Sequence, residues 1–182
     1  MIPQLRPLIQ RYLHLIPPDG IILDLGCGEG QDALLLTQQG FSVEAVDTAI
    51  CLEVLKQRAE KEHISTLITH ATDIRTFPFI QKYGTIICMN VLHFLKNEEI
   101  VFVLKKMKEA TQSGGLHFLS VFTQQGDLHS DKMYFFKHDE LRDHYQDWKI
   151  YMYSEAMRPT KEKNTEGKQK QHEVAFLVAQ KP

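Results

Sequence analysis

Cysteine is scarce in this sequence. Only Cys27, Cys51 and Cys88 occur among 182 residues, far apart, odd in number and without a Cys-x-x-Cys pair. That argues against a disulfide framework and against a zinc site, and it suits a reducing compartment. The nine histidines form no His-Glu-x-x-His motif and no cluster with cysteine, so no metal is expected. An excess of charge of one sign is also lacking: 21 basic side chains face 23 acidic ones, a net charge of −2. No electrostatic footprint for nucleic acid or an anionic membrane follows. No run approaches the roughly 18 apolar residues of a membrane span. The start, Met1-Ile2-Pro3-Gln4-Leu5-Arg6, lacks the charged opening and apolar run of a signal peptide. These absences leave the expectation of a cytoplasmic protein that meets small molecules, as a monomer or a homodimer.

What is present is a globular composition, 43% hydrophobic and 24% charged, arranged in alternating patterns. Residues 4–16 carry apolar side chains at helical spacing until Pro17-Pro18-Asp19-Gly20 stops them. Ile21–Leu25 has the length of a buried strand, and a helix from Gln31 to Gln39 follows. The alternation repeats: a strand Phe41–Val46 ending at Asp47, a helix Ala49–Glu62, a weak strand Leu67–Ala71 ending near Asp73. Tyr83–Met89 is a strong strand ending at Asn90, residues 97–111 an amphipathic helix, and Leu116–Phe122 a fifth strand. Strand–helix repetition of this kind implies an α/β fold, a mostly parallel sheet covered on both faces. Beyond it come a short helix Lys137–Tyr145, a strand Trp148–Tyr153, a polar segment Pro159–Gln171 and a final strand Glu173–Ala179. The last two strands read as an antiparallel hairpin at the sheet edge, with the polar segment as its solvated loop.

The first strand runs straight into Gly26-Cys27-Gly28-Glu29-Gly30. Glycines there let a ligand lie against bare backbone, and the helix that follows offers unpaired N–H groups. A dinucleotide fold wants Gly-x-Gly-x-x-Gly, but here the third glycine comes one position early and Gln31 follows it. A Walker loop would need Gly-Lys-Ser/Thr, which is absent. The spacing favours a nucleoside without a bridging pyrophosphate. Asp47, with Thr48 beside it, stands where a carboxylate accepts bonds from ribose hydroxyls. Asp73 can accept from an adenine amino group, with Ile74 beside the ring. Asp24 can reach an ammonium through water. Each acid alone could be a turn or cap residue; three at the ends of successive strands point to one rim that binds a cationic nucleoside.

Leu23-Asp24-Leu25-Gly26-Cys27-Gly28-Glu29-Gly30, with Asp47 and Asp73 at these spacings, resembles the class I S-adenosylmethionine (SAM)-dependent methyltransferases over about residues 19–122. The resemblance implies a Rossmann-like sheet of seven strands in the order 3-2-1-4-5-7-6, strand 7 antiparallel. It also implies SAM as cofactor and S-adenosylhomocysteine as product. Val91-Leu92-His93-Phe94-Leu95, Phe136-Lys137, Glu140-Leu141-Arg142, Tyr145 and Trp148 are similar to the TehB-like tellurite-resistance methyltransferases. That narrower likeness implies acceptors that are oxyanions or soft nucleophiles of tellurium and selenium. A His-Arg pair after the sixth strand of that family corresponds here to Met157-Arg158-Pro159, so at most the arginine is kept.

The chain is accordingly expected to be one domain, 1–182: an N-terminal helix (1–19), a cofactor-binding half (20–122) and a substrate-side half with the edge hairpin (123–182). Methyl transfer is an in-line displacement that asks mainly for alignment; a general base is needed only for a protonated acceptor. Arg158 is the candidate cation for an anionic acceptor, against the alternative of a solvated arginine. Asn90 can bond the methionine ammonium. His93 can face the transferred methyl as base or positioner, or else be a packed loop residue. Cys27 sits where a helix N-terminus could lower its pKa, but a buried filler is the simpler reading. Tyr134, Phe135 and Phe136 are read as core in preference to a lid. Two rivals stay open: an O- or N-methyltransferase using His93 as base, and a SAM-binding module without turnover.

Overall fold

The computed structural model describes residues 4–163 and 167–182. Residues 1–3, at the start read above for a leader, and 164–166 of the polar segment lie outside that description. Seven strands form one sheet: β1 Ile22–Leu25, β2 Val43–Asp47, β3 Ile68–Ala71, β4 Tyr83–Met89, β5 Thr111–Gly126, β6 Lys149–Lys163 and β7 Gln169–Gln180. Their order is β3-β2-β1-β4-β5-β7-β6, with β7 antiparallel to both β5 and β6. This is the order the resemblance implied. The helices are α1 Pro7–Tyr12, α2 Gln31–Gln38, α3 Ala49–Lys61, α4 Asn97–Ala110 and α5 Glu140–Asp143.

Period-two alternation divides the sheet into two cores. Leu23 and Leu25 of β1, Ile86 and Cys88 of β4, and Leu119 and Val121 of β5 face α4 and α5. Ile22, Ile87, Met89 and Phe118 face α1, α2 and α3. Strands buried on both faces explain the unbroken apolar runs that marked β1 and β4 in the sequence. Among the described residues no helix is long and apolar enough to cross a membrane.

Three elements differ from expectation. The first helix is shorter: α1 begins with Pro7 in its first turn, where a missing N–H costs nothing, and passes into a 3-10 turn at Leu13–Leu15. The helix expected over 137–145 contracts to one turn, because Tyr145 and Trp148 leave the helical path to pack in the core. Tyr145 donates its hydroxyl to, or accepts from, His117 Nδ1 at 2.6 Å, and His117 Nε2 pairs with Thr111 Oγ1 at 2.7 Å. Finally, the polar segment is largely not a loop. β6 and β7 continue through it, pairing Pro159 with Gln171 and Lys163 with Gln169. A ribbon running beyond the body of the sheet meets water on both faces, so it shows no apolar alternation. Pro159 is tolerated because β6 is the edge strand.

Candidate active site

The site lies where β1 is flanked by β2 on one side and β4 on the other, the switch point at which open α/β sheets bind ligands. There Gly26–Gly30 turns the chain into α2. A Cβ on Gly26 would stand 2.4 Å from Val91, and one on Gly30 2.2 Å from Leu55, so both glycines permit close packing. Gly28 is different: its φ is +59° and nothing lies within 4 Å of an added Cβ. Bare backbone therefore faces open space at Gly28. Gly30→Ala is expected to lower stability by about 2–4 kcal/mol through strain and overpacking, read as a fall in Tm. Gly28→Ala should cost less in Tm, yet place a methyl group where a ligand would lie.

Asp47, at the end of β2, organises the loop. Its Oδ2 accepts the Gly28 N–H at 2.8 Å, and its Oδ1 accepts the Thr48 N–H at 2.7 Å. An ionised carboxylate has about four acceptor sites, so capacity remains for ribose hydroxyls. Gly26, Gly28, Asp47 and Thr48 line one part of a cavity of about 500 Å³, and Asp73, Ile74 and Arg75 line another. Arg75 was not picked out in the sequence. Its Nε donates to Asp73 Oδ1 at 2.9 Å, its Nη1 pairs with Glu99 at 3.0 Å, and the bond to Arg75 holds the Asp73 carboxyl below its usual range.

Asp24 is 2% exposed, beneath the loop. Burial, then the nearby Asp32, push its carboxyl up to about 7, against the lowering pull of Arg6. Asp32 itself is held by Arg6, whose backbone N–H and guanidinium both reach it at 3.0 Å. Cys27 is 5% exposed, and burial with the Asp24 charge raises its thiol, so the lowering available at a helix N-terminus does not prevail. It packs as a filler of the α2–α3 core. Gly30 and Asp24 support the cavity without lining it.

Asn90 follows the end of β4 at φ +60°, a left-handed conformation uncommon for a residue other than glycine. Its N–H donates to Ser120 O at 2.9 Å, and its Oδ1 accepts the Ser120 hydroxyl at 2.8 Å. Such strain, held by surrounding bonds, is characteristic of functional positions. Asn90 lines this cavity and also a second one of about 600 Å³.

Arg158 of β6 lines that second cavity, its guanidinium 5.5 Å from the Phe176 ring. Arg6 and Arg11 join it there. Both were missed, because they approach from the start of the chain. Arg6, Met89 and Asn90 line both cavities, which therefore lie side by side.

His93 does not reach either cavity. A 3-10 turn over Leu92–Phe94 exposes Phe94 and buries His93, whose ring stacks on Phe122 at 4.0 Å between centroids. Burial, and then His172, push it down to about 4, and neither ring nitrogen has a partner. The expectation that it faces the transferred methyl is corrected by this turn. Tyr134 and Phe136 also stay out: Phe136 is fully buried, and Tyr134 donates to Glu140 at 2.7 Å. Among the described residues, His138, Asp139 and Glu155 form one group with metal-ligating atoms within 4.8 Å of each other. Arg142 already pairs with Asp139 there at 2.7 Å.

A glycine loop at the β1 switch point, an acid closing β2 and a 3-2-1-4-5-7-6 sheet together make the arrangement that the resemblance to class I SAM-dependent methyltransferases implied. The family described as tellurite resistance protein TehB matches residues 10–178, and the chain belongs to that family. A probable SAM-dependent methyltransferase TehB of Haemophilus influenzae is 28% identical over 163 residues, 88% of this chain and 57% of that protein. Hemagglutinin 1 of Eikenella corrodens is 31% identical over 164 residues, 88% of this chain and 54% of that protein. The crystal structure of TehB from Haemophilus influenzae superposes with a TM-score of 0.85 at 26% identity, covering 96% of this chain and 61% of that one. The chain thus spans little more than half the length of the curated relatives it matches.

Proposed function

We propose that the chain binds SAM in the first cavity and transfers its methyl group to a small, already anionic soft nucleophile in the second, tellurium and selenium oxyanions among them. One observation carries the choice of acceptor. The second cavity is lined by Arg6, Arg11 and Arg158, and among the described residues that line it there is no histidine, carboxylate, lysine, cysteine or tyrosine. Arginine stays protonated at any physiological pH. Such a wall attracts and orients anions but removes no proton. The buried, neutral His93 gives the rival reading with a histidine base no support, and a second cavity beside the cofactor cleft speaks against a module without turnover.

The residues present fit the cofactor. Gly28 leaves backbone exposed in a cavity of ordinary ligand size. Asp47 would accept the ribose hydroxyls, Asp73 and Ile74 would meet the adenine, Asn90 would serve the methionine end, and Asp24, behind the lining, would reach its ammonium through water. When bound, SAM supplies an electrophilic methyl group on a sulfonium and leaves as S-adenosylhomocysteine. Asn90 and Met89 line both cavities, so methyl donor and acceptor would meet beside them, and Arg158 with Arg11 would align the acceptor.

Asp24 makes cofactor binding pH-dependent. The ammonium favours the ionised carboxylate, which exists in the free protein only above about 7. Affinity should be flat above that pH and fall by up to about tenfold for each unit below it. Titration calorimetry between pH 5.5 and 8.5 checks this, and Asp24→Asn should abolish the slope. The function itself is tested by following S-adenosylhomocysteine release with selenite, tellurite and thiols as acceptors. Acceptor-dependent release is expected, at a rate that, with SAM saturating, is independent of pH once the acceptor is ionised. Binding of SAM with no release for any anionic acceptor would refute the proposal.

A further inference from the structure

The acceptor cavity is larger than an inorganic oxyanion requires. It measures about 600 Å³. An oxyanion of four heavy atoms displaces about four waters' share of liquid, roughly 120 Å³, and would leave most of this space wet. Pockets spanning about 300–1,000 Å³ typically hold organic molecules. The wall itself is mixed: Leu8, Met152 and Phe176 face the space alongside the three arginines. Leu8 is buried and Met152 and Phe176 are half-buried, so the apolar part is a formed wall.

The charge is also disposed for a ligand. Arg6 is partly satisfied by Asp32. Arg11 and Arg158 have no carboxylate partner among the described residues; each lies instead over a ring, Tyr12 at 5.6 Å and Phe176 at 5.5 Å. A guanidinium on an aromatic face keeps its N–H fork for an anion. Neighbouring cations also favour the ionised form of a thiol, so such an acceptor needs no base.

Resting on the methyltransferase reading above, we propose that the acceptor site takes an organic thiolate or selenolate with an apolar body: Arg11 and Arg158 hold its charge while Leu8, Met152 and Phe176 cover its hydrocarbon part. In the transfer, a chalcogen lone pair forms the new bond to the methyl carbon. The electron pair of the broken sulfonium–methyl bond stays with the cofactor sulfur. The negative charge of the acceptor and the positive charge of the sulfonium cancel, and no proton moves.

Thionitrobenzoate is a suitable probe, an aromatic thiolate with a carboxylate whose yellow absorbance is lost on S-methylation. SAM-dependent bleaching is expected with kcat/KM at least about tenfold above that for hydrosulfide or selenite. Met152→Ala should raise KM for the probe about fivefold or more, and by a clearly larger factor than for hydrosulfide. Ser154→Glu, at an exposed position that lines the cavity, should raise KM for both acceptors by placing a carboxylate among the arginines. Hydrosulfide or selenite turned over as efficiently as the probe, or probe kinetics untouched by both substitutions, overturns the organic acceptor while the methyltransferase reading stands. Failure of the folded protein to bind SAM overturns that reading first, and this one with it.

Discussion

Asp47→Ala is expected to weaken SAM binding by roughly 100-fold, about 2.8 kcal/mol. Two losses add. The ribose hydroxyls lose a charged acceptor, and hydrogen bonds to charged groups are worth about 1.5–3 kcal/mol. The glycine loop also loses its tie, because the same carboxylate accepts the Gly28 and Thr48 N–H groups. Asp47→Asn separates the two effects. Its amide oxygen can keep one of these N–H bonds, but its NH2 group opposes the other, so a loss of about tenfold is expected. Calorimetry gives both affinities, and a thermal melt shows whether the loop change spreads to the fold. A change of less than about threefold in Asp47→Ala would mean that the cofactor does not use this carboxylate.

Arg158→Ala is expected to reduce kcat/KM for an anionic acceptor by roughly 100-fold, the lower end of the range seen when one oriented donor is removed from a charge-stabilising site. The lower end applies because Arg6 and Arg11 remain in the same cavity. Arg158→Lys keeps the charge but loses the planar fork and the packing over Phe176, so an intermediate loss of about tenfold should follow. Affinity for SAM should not change, since Arg158 lines only the acceptor cavity. Parallel loss of cofactor binding would move the arginine to a structural role, and unchanged kinetics would place the acceptor elsewhere.

Most of the rim of the first cavity was legible in the sequence because its determinants are local. A strand running into Gly26–Gly30, and acids that close the next two strands, fix their own positions along one rim; Asp47 and Ala71 are paired in register, with Asp73 just beyond. The second cavity was not, because it is assembled from distant segments. Arg6 reaches Asp32, 26 residues away, and meets Arg158 only through the fold. Arg158 was named for its place after a strand, yet its partner Phe176 depends on the β6–β7 register. His93 shows the limit from the other side: whether it faces the cleft turns on three residues of 3-10 helix, and those residues show Phe94 outward. The β6–β7 ribbon was hidden because water on both faces erases the alternation by which strands are read.

Calorimetric titration of the folded protein with SAM and with S-adenosylhomocysteine near pH 8, where Asp24 is ionised in the free protein, tests the central claim most directly. Saturable binding of both near micromolar, roughly −8 kcal/mol, is the expected result. A folded protein that takes up neither ligand would contradict the account, and the open backbone at Gly28 would then have to serve another nucleotide or none.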